Sequence, residues 1–399
     1  MIKHLLVTTP QGASGTLQKE SRFVFNYQTT DQKCEASLLM PLRAESYSDG
    51  RLFSVFEMNR PEGYLLDYLR ERFGKHERLD DMRLLSLTGG NQIGRLRYSE
   101  NGALAPKQST VTREEIIGSM SSDELFRHLI DTYFGSGISG FQPKVLVPDS
   151  ASQVTEKSMI ATSDLIVKSA GEDYPFLAQN EFMCMEVARR AGMSVPEFWL
   201  SKDGNLFVMT RFDIQDERQM GLEDMVVVMA KTSEEKYHGS YEGIAKVIDL
   251  YCGNHAVESK ERLFQYIALS CLVKNGDAHL KNFSLMYDFP GGDVRLSPLY
   301  DVVTTTVYDI TNPKTGATKT DNTMALNMRK SKSYPLQDDL IEFGRSSCLV
   351  RHPAEIIDRI QEMKYETYRD MKDRIDPWLA ERIAREWGLE APGKKSKLT

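Results

Sequence analysis

The sequence predicts an α+β fold in two lobes, the second mainly helical, with an extra α+β subdomain in front of them. Three observations predict it. The first hundred residues carry short strand-like runs and one amphipathic helix. Residues 144–209 hold three apolar strand candidates around a single helix. From about Ile214 onward apolar residues recur mainly at helical spacing, and the motifs with most polar chemistry fall near the seam.

In the front subdomain, Leu5-Leu6-Val7 and Phe23-Val24-Phe25 read as strands around a polar turn rich in Gly and Ser. Pro61 opens a helix and Gly74 closes it, with Tyr64, Leu65, Tyr68, Leu69 and Phe73 at helical spacing between them. The polar stretch from Asn101 to Arg113 is the expected linker. A helix with Leu125, Leu129 and Phe134 follows, then Gly135-Ser-Gly-Ile-Ser-Gly140 and the strand Lys144 to Val147. Leu165 to Lys168 and Leu206 to Met209 are further strands, and Asn180 is placed as the cap of a helix that ends before Gly192. Leu263 to Val273 is apolar on nearly all sides, as a helix buried in a lobe would be. Amphipathic helices return over Ala354 to Ile375 and Trp378 to Trp387. The expected domains are 1–105, 106–213 with the Gly-rich loop, and 214–390 with the helical lobe, followed by a disordered tail, 391–399.

The 399 residues suffice for two or three domains. A hydrophobic share of 41% with 27% charged residues is that of a soluble globular protein. The net charge of −7 excludes a surface that grips nucleic acid all over, which needs clustered Lys and Arg. Five scattered cysteines without CxxC spacing give neither a zinc site nor a disulfide framework, and fit reduced thiols in the cytosol. The apolar run near the N-terminus is too short for a signal peptide, and none approaches the ~18 residues of a membrane span. The expected location is the cytoplasm, with no membrane contact.

The strongest chemical signal is Asn275-Gly-Asp-Ala-His-Leu-Lys-Asn282. Asp277 and Asn282 stand five residues apart, the spacing at which protein kinases place the Asp that takes the acceptor proton and the Asn that holds Mg²⁺. Both residue types also stabilise ordinary turns. Asp301, in Leu296-Ser-Pro-Leu-Tyr-Asp301, supplies a second carboxylate downstream. One carboxylate, one amide and a triphosphate satisfy the preference of Mg²⁺ for hard oxygen. Lys168 ends an apolar strand, where a kinase lysine pairs with phosphates and with a helix glutamate, and Glu181 is the nearest candidate for that partner. Gly135 to Gly140 spells GxGxxG but leads into a strand, which counts against a dinucleotide fingerprint and leaves a phosphate-covering loop or a plain turn. His279 is read as an orienting residue near Asp301 or the loop backbone. The Thr- and Lys-rich segment Val302 to Tyr334 reads as an activation segment or a surface loop.

Together these stretches resemble the HipA family of bacterial serine/threonine kinases, the toxins of type II toxin–antitoxin systems. The resemblance is carried by Ile138-Ser-Gly-Phe-Gln-Pro-Lys144, Leu165 to Lys168, Asn180-Glu181, Arg211-Phe-Asp213, Gly276 to Ser284 and Ser297-Pro-Leu-Tyr-Asp301, in that order. Leu39-Met-Pro-Leu42 and the Phe53 to Gly74 region resemble the family's N-terminal subdomain. The resemblance implies a two-lobed protein-kinase-like fold and the use of ATP and Mg²⁺. It implies a protein substrate, in known members an aminoacyl-tRNA synthetase, and a helix-turn-helix antitoxin through which alone DNA is contacted. By position, Asp277, Lys168 and His279 would be catalytic, and Asn282 and Asp301 would bind the metal. Gly137, Ile138, Ser139, Gly140, Lys144, Lys168, Thr210, Phe212 and Lys281 would contact ATP. Family members carry one or two loop serines whose phosphorylation shuts the kinase down. This chain has Gly137 at one such position, which leaves Ser139, with Ser136 second, as the expected autophosphorylation sites. Phosphate there would repel the ATP phosphates or push the loop out. Aminoglycoside and choline kinases carry a similar loop, so a small-molecule phosphotransferase and a non-catalytic pseudokinase are the alternatives.

Overall fold

The computed structural model describes residues 2–75, 77–90, 92–100, 111–133, 142–147, 165–171, 174–216, 218–311, 316 and 318–389. At the front, β1 (His4–Thr9), β2 (Gly12–Lys19), β3 (Phe23–Tyr27), β4 (Tyr47–Asp49) and β5 (Arg97–Ser99) form an antiparallel sheet in the order β4-β3-β2-β1-β5. Leu5, Val7, Leu17 and Phe25 take the inward positions and pack with Phe56 of α1 (Ser54–Glu57), Leu85 of α3 (Asp81–Thr88) and Tyr98. Between them in sequence, α2 (Gly63–Phe73) closes at Gly74 as its pattern predicts. The Gly- and Ser-rich stretch expected as a turn is β2 itself. Its small residues permit close pairing, since a Cβ at Gly15 would lie 2.2 Å from the carbonyl oxygen of Asn26 on β3.

The next unit begins with α4 (Arg113–Ile117) and α5 (Ser122–Tyr133). Its sheet, in the order β6-β7-β9-β8, contains β6 (Lys144–Val147), β7 (Leu165–Ser169), β8 (Phe198–Leu200) and β9 (Leu206–Thr210). Both faces are covered, so the strands read as unbroken apolar runs. Val145, Val167 and Val208 pack with Phe126 and Leu129 of α5, while Leu146, Ile166 and Met209 join the main core with Met183 of α6 (Leu177–Arg190). Asn180 does not cap α6, which starts three residues earlier. It lies inside the first turn and reaches across to residue 304, donating to the Thr304 carbonyl at 3.0 Å and accepting from the Thr304 amide at 2.8 Å. Gly192 ends the helix with φ +78°.

A short hairpin, β10 (Ile214–Gln215) with β11 (Arg218–Gln219), precedes the third part. There β12 (Gly221–Asp224), β13 (Ser284–Tyr287) and β14 (Arg295–Leu296) make a small sheet beside α7 (Met225–Val228), α8 (Tyr241–Tyr251) and α9 (Ala256–Leu272). α9 buries Leu263, Phe264, Ile267 and Leu269, as its all-round apolar sequence predicts. The described residues of the polar segment after Val302 are not all loop. They include two hairpins, β15 (Asp309–Thr311) with β16 (Thr318–Thr320) and β17 (Thr323–Met328) with β18 (Ser331–Ser333). α10 (Gln337–Ser346), α11 (Pro353–Met371) and α12 (Pro377–Glu386) complete the helical lobe. All five cysteines are buried and unpaired. Among the described residues no helix is long and apolar enough to cross a membrane. The expected tail, 391–399, lies outside the described residues.

Candidate active site between the lobes

The loop from Asn275 to Asn282 takes its shape from the end of α9. Lys274 adopts φ +58°, and the Asn275 amide donates back to the Ser270 carbonyl at 2.7 Å. The Asn275 side-chain oxygen then accepts from the Asp277 amide at 3.1 Å, and the Gly276 amide donates to Thr305 Oγ1 at 2.8 Å. Gly276 is needed here: a Cβ would lie 2.7 Å from the Thr323 carbonyl oxygen and 2.9 Å from Thr305 Oγ1. Asn282, in the short 3₁₀ turn that follows, donates its amide to the Asp277 carbonyl at 2.8 Å, which turns its side-chain oxygen the other way.

Across the cleft, β6 and β7 place Lys144 opposite Lys168. The Lys168 ammonium meets Glu181 Oε1 of α6 at 2.6 Å and also pairs with Asp301, whose other oxygen lies 3.9 Å from Lys144 Nζ. Asp301 has φ +55°, a left-handed conformation that Asp tolerates better than most residues. Burial pushes the Asp301 carboxyl up, but the Lys168 and Lys144 charges outweigh it and hold it well below the usual carboxylate range. Burial pushes Lys168 down, and the two carboxylates around it overcome this and raise it. Burial lowers His279 to about 4, so its imidazole is neutral at pH 7.

One cavity of about 610 Å³ brings together Asp277, Asn282, Asp301, Lys168, Lys144 and His279. Lys281 and Phe212 line it as well. Phe212 stacks on Tyr300 with ring centroids 5.2 Å apart, and Ile166, Met209 and Leu222 add an apolar wall. Thr210 does not reach this wall. Strand alternation turns Met209 inward, and Thr210 instead donates its amide to the Glu197 carbonyl at 2.9 Å. The orienting hydrogen bond expected of His279 takes a different form. Its backbone amide donates to the Asp277 carbonyl at 2.7 Å, whereas its ring Nε2 lies 4.0 Å from Asp277 Oδ1 and its buried Nδ1 has no partner among the described residues. Gly137, Ile138, Ser139, Gly140 and Ser136 lie outside the described residues.

Three contributors have no signature in the sequence. Glu62, from the front subdomain, pairs with Lys281 at 2.8 Å across 219 residues. Asp224 caps α7 and lines the cavity, with burial pushing its carboxyl up to about 6. The Tyr237 hydroxyl donates to Asp277 Oδ1 at 2.9 Å. The front subdomain therefore completes the cleft. Its attachment is reinforced where Arg211, paired with Asp213 at 2.5 Å, donates to the Gln92 carbonyl at 2.9 Å, and Gly94 donates to Asp213 at 2.7 Å.

The donor set suits Mg²⁺. Asn282 and Asp301 offer one amide and one carboxylate oxygen, and a magnesium ion takes its remaining ligands from phosphate and water. Among the described residues no cluster of three His, Cys, Asp or Glu forms a metal cage of its own. Lys168 and Lys144 supply positive charge beside Asp301, where polyphosphate oxygens would need it.

Comparison with known proteins adds to this geometry. The HipA-like C-terminal domain matches residues 136–369 and the HipA N-terminal domain matches residues 5–99. A putative kinase of Haemophilus influenzae is 31% identical over 237 residues, covering 53% of this chain and 67% of that protein. The serine/threonine-protein kinase toxin HipA of Shewanella oneidensis is 24% identical over 312 residues, covering 72% of this chain and 71% of its own. A solved structure of Shewanella oneidensis HipA, in complex with HipB and operator DNA, superposes with a TM-score of 0.72. It has 19% identity and covers 96% of each chain, which establishes a shared fold.

Proposed function

This chain belongs to the HipA family of kinases, and from that premise we propose that it transfers the γ-phosphoryl group of ATP to a serine or threonine hydroxyl of a protein. The observation that carries the reading is that Lys168, held by Glu181 from behind and paired with Asp301, lines one cavity together with Asp301, Asp277 and Asn282. The Asp277 carboxylate would take the proton of the acceptor hydroxyl as its oxygen attacks the γ-phosphorus. Lys168, steered by Glu181, would hold the α- and β-phosphates. Phe212 on Tyr300, with Met209 and Leu222, forms an apolar slot of the kind that suits a purine. Asn282 and Asp301 would bind Mg²⁺, which when present neutralises phosphate charge. The neutral His279 beside Asp277 and the Lys281 of the same loop complete the wall.

The finer parts of the proposal rest on family membership. The substrate is a cytoplasmic protein, with an aminoacyl-tRNA synthetase the first choice, and its modification halts translation. The kinase phosphorylates its own Gly-rich loop at Ser139, with Ser136 second, and so shuts itself down. An antitoxin carrying a helix-turn-helix restrains it and makes the DNA contacts. Label transfer from γ-labelled ATP into a cell lysate tests the reading. Label should enter proteins with the wild type and not with Asp277→Ala. Label confined to small molecules would favour a phosphotransferase of the aminoglycoside or choline type, and no transfer at all would favour a pseudokinase. Phosphopeptide mapping of active enzyme should find phosphate on Ser139.

A further inference from the structure

Tyr237 offers the catalytic carboxylate the same group that an acceptor must offer. Its phenol donates to Asp277 Oδ1 at 2.9 Å, and among the described residues no other side chain donates to that carboxylate. The placement is fixed from several sides. The Leu280 amide donates to the Lys236 carbonyl at 3.1 Å, and Lys332 Nζ donates to the Tyr237 carbonyl at 3.2 Å. The ring meets His279 edge-on with centroids 5.1 Å apart, and the Lys236 ammonium lies 5.1 Å from its centre. Burial, and then the Asp277 charge, raise the phenol's pKa, so the hydroxyl keeps the proton that it donates. Tyr237 nonetheless lines the cavity and is 39% exposed, so the ring borders the entry side of the cleft.

We propose that Tyr237 is an acceptor-side selectivity residue, whose hydroxyl occupies the proton-accepting oxygen of Asp277 until an acceptor hydroxyl displaces it. The inference rests on the kinase reading above. Water is the acceptor most in need of exclusion. In the reaction to be suppressed, a water oxygen bonds to the γ-phosphorus while the bond to the β–γ bridging oxygen breaks. Its electron pair stays with the departing ADP, and the water proton passes to Asp277. While the phenol holds that carboxylate oxygen, a water lacks its base there. A protein acceptor, bound through many further contacts, can displace one hydrogen bond where a lone water cannot.

The test uses full-length enzyme with Tyr237→Phe, which keeps the ring and removes the hydroxyl. Three quantities are measured: ADP release from MgATP without casein in excess of the label that enters the enzyme itself, label transfer into dephosphorylated casein across a concentration series, and the melting temperature. The proposal predicts that acceptor-independent ADP release rises by about tenfold, the scale of one hydrogen bond to a charged group. It also predicts a severalfold lower half-saturating casein concentration, with little change in melting temperature. A purely structural tyrosine would lower the melting temperature and leave water and casein equally disfavoured. ADP release from Tyr237→Phe no higher than wild type overturns the inference, while wild-type transfer into casein leaves the kinase reading intact. Failure of the wild type to turn over ATP at all removes both.

Discussion

Lys168 and Asp301, 133 residues apart in the chain, form an ion pair across the cleft, and Glu181 closes the group from behind at 2.6 Å. A strand, a helix and a loop from different parts of the chain thus meet at one ammonium. The Lys168 and Glu181 side chains are 3% and 1% exposed, so neither charge can turn to water if its partner is lost.

Lys168→Ala should therefore cost stability as well as activity. Removing one member of a buried pair typically costs about 3–5 kcal/mol. The double variant Lys168→Ala with Glu181→Ala should lose clearly less than the sum of the two single changes, and should remain inactive. Urea unfolding of the four proteins gives the coupling directly.

Asp277→Ala should separate chemistry from folding. The side chain is about half exposed, and among the described residues its carboxylate accepts a side-chain hydrogen bond from Tyr237 alone. Phosphoryl transfer should fall by about 10²–10⁴, with the melting temperature nearly unchanged, as label transfer and thermal unfolding of one preparation would show.

Gly276→Ala should do the opposite and damage both. The new methyl would lie 2.7 Å from the backbone oxygen of Thr323, which has no flexible end to move aside. Overpacking of this kind typically costs about 1–3 kcal/mol. Because the Gly276 amide ties the loop that carries Asp277 to Thr305, transfer should fall with it. Denaturant melts and kinetics on the purified variant check both.

His279 fixes one pH dependence. Burial lowers its pKa from the ordinary 6.5 to about 4, so the unfolded chain takes up this proton before the folded one does. Its contribution to stability is complete above pH 6.5 and is lost as the pH falls toward 4. Wild-type unfolding free energy should drop over that window more steeply than that of His279→Gln, measured by urea titration at a series of pH values.

Much of the site was legible in the sequence because its chemistry is local. Asp277 and Asn282 lie five residues apart on one loop, and Lys168 ends a strand that reads as apolar on both faces. The helices α11 and α12 follow from amphipathic periodicity, and α9 from a run that is apolar on nearly all sides. What stayed hidden depends on tertiary approach. Glu62 reaches Lys281 only because the front subdomain packs over the cleft, and nothing near Glu62 announces it. Asn180 has the composition of a cap, but its partner is the backbone of Thr304. The resemblance puts Thr210 at the nucleotide, whereas side-chain alternation gives the wall to Met209. The Gly- and Ser-rich stretch read as a turn became β2, because small residues also allow strands to pair closely.

The central claim is that Asn282 and Asp301 bind a divalent ion against the phosphates of a nucleotide. Calorimetric titration of ATP into the wild type and into Asp301→Ala, with and without Mg²⁺, tests it most directly. The account predicts binding by the wild type that strengthens strongly when Mg²⁺ is added, and loss of that Mg²⁺ effect in the variant. Equal ATP affinity with and without Mg²⁺, or a Mg²⁺ effect that survives Asp301→Ala unchanged, would contradict it.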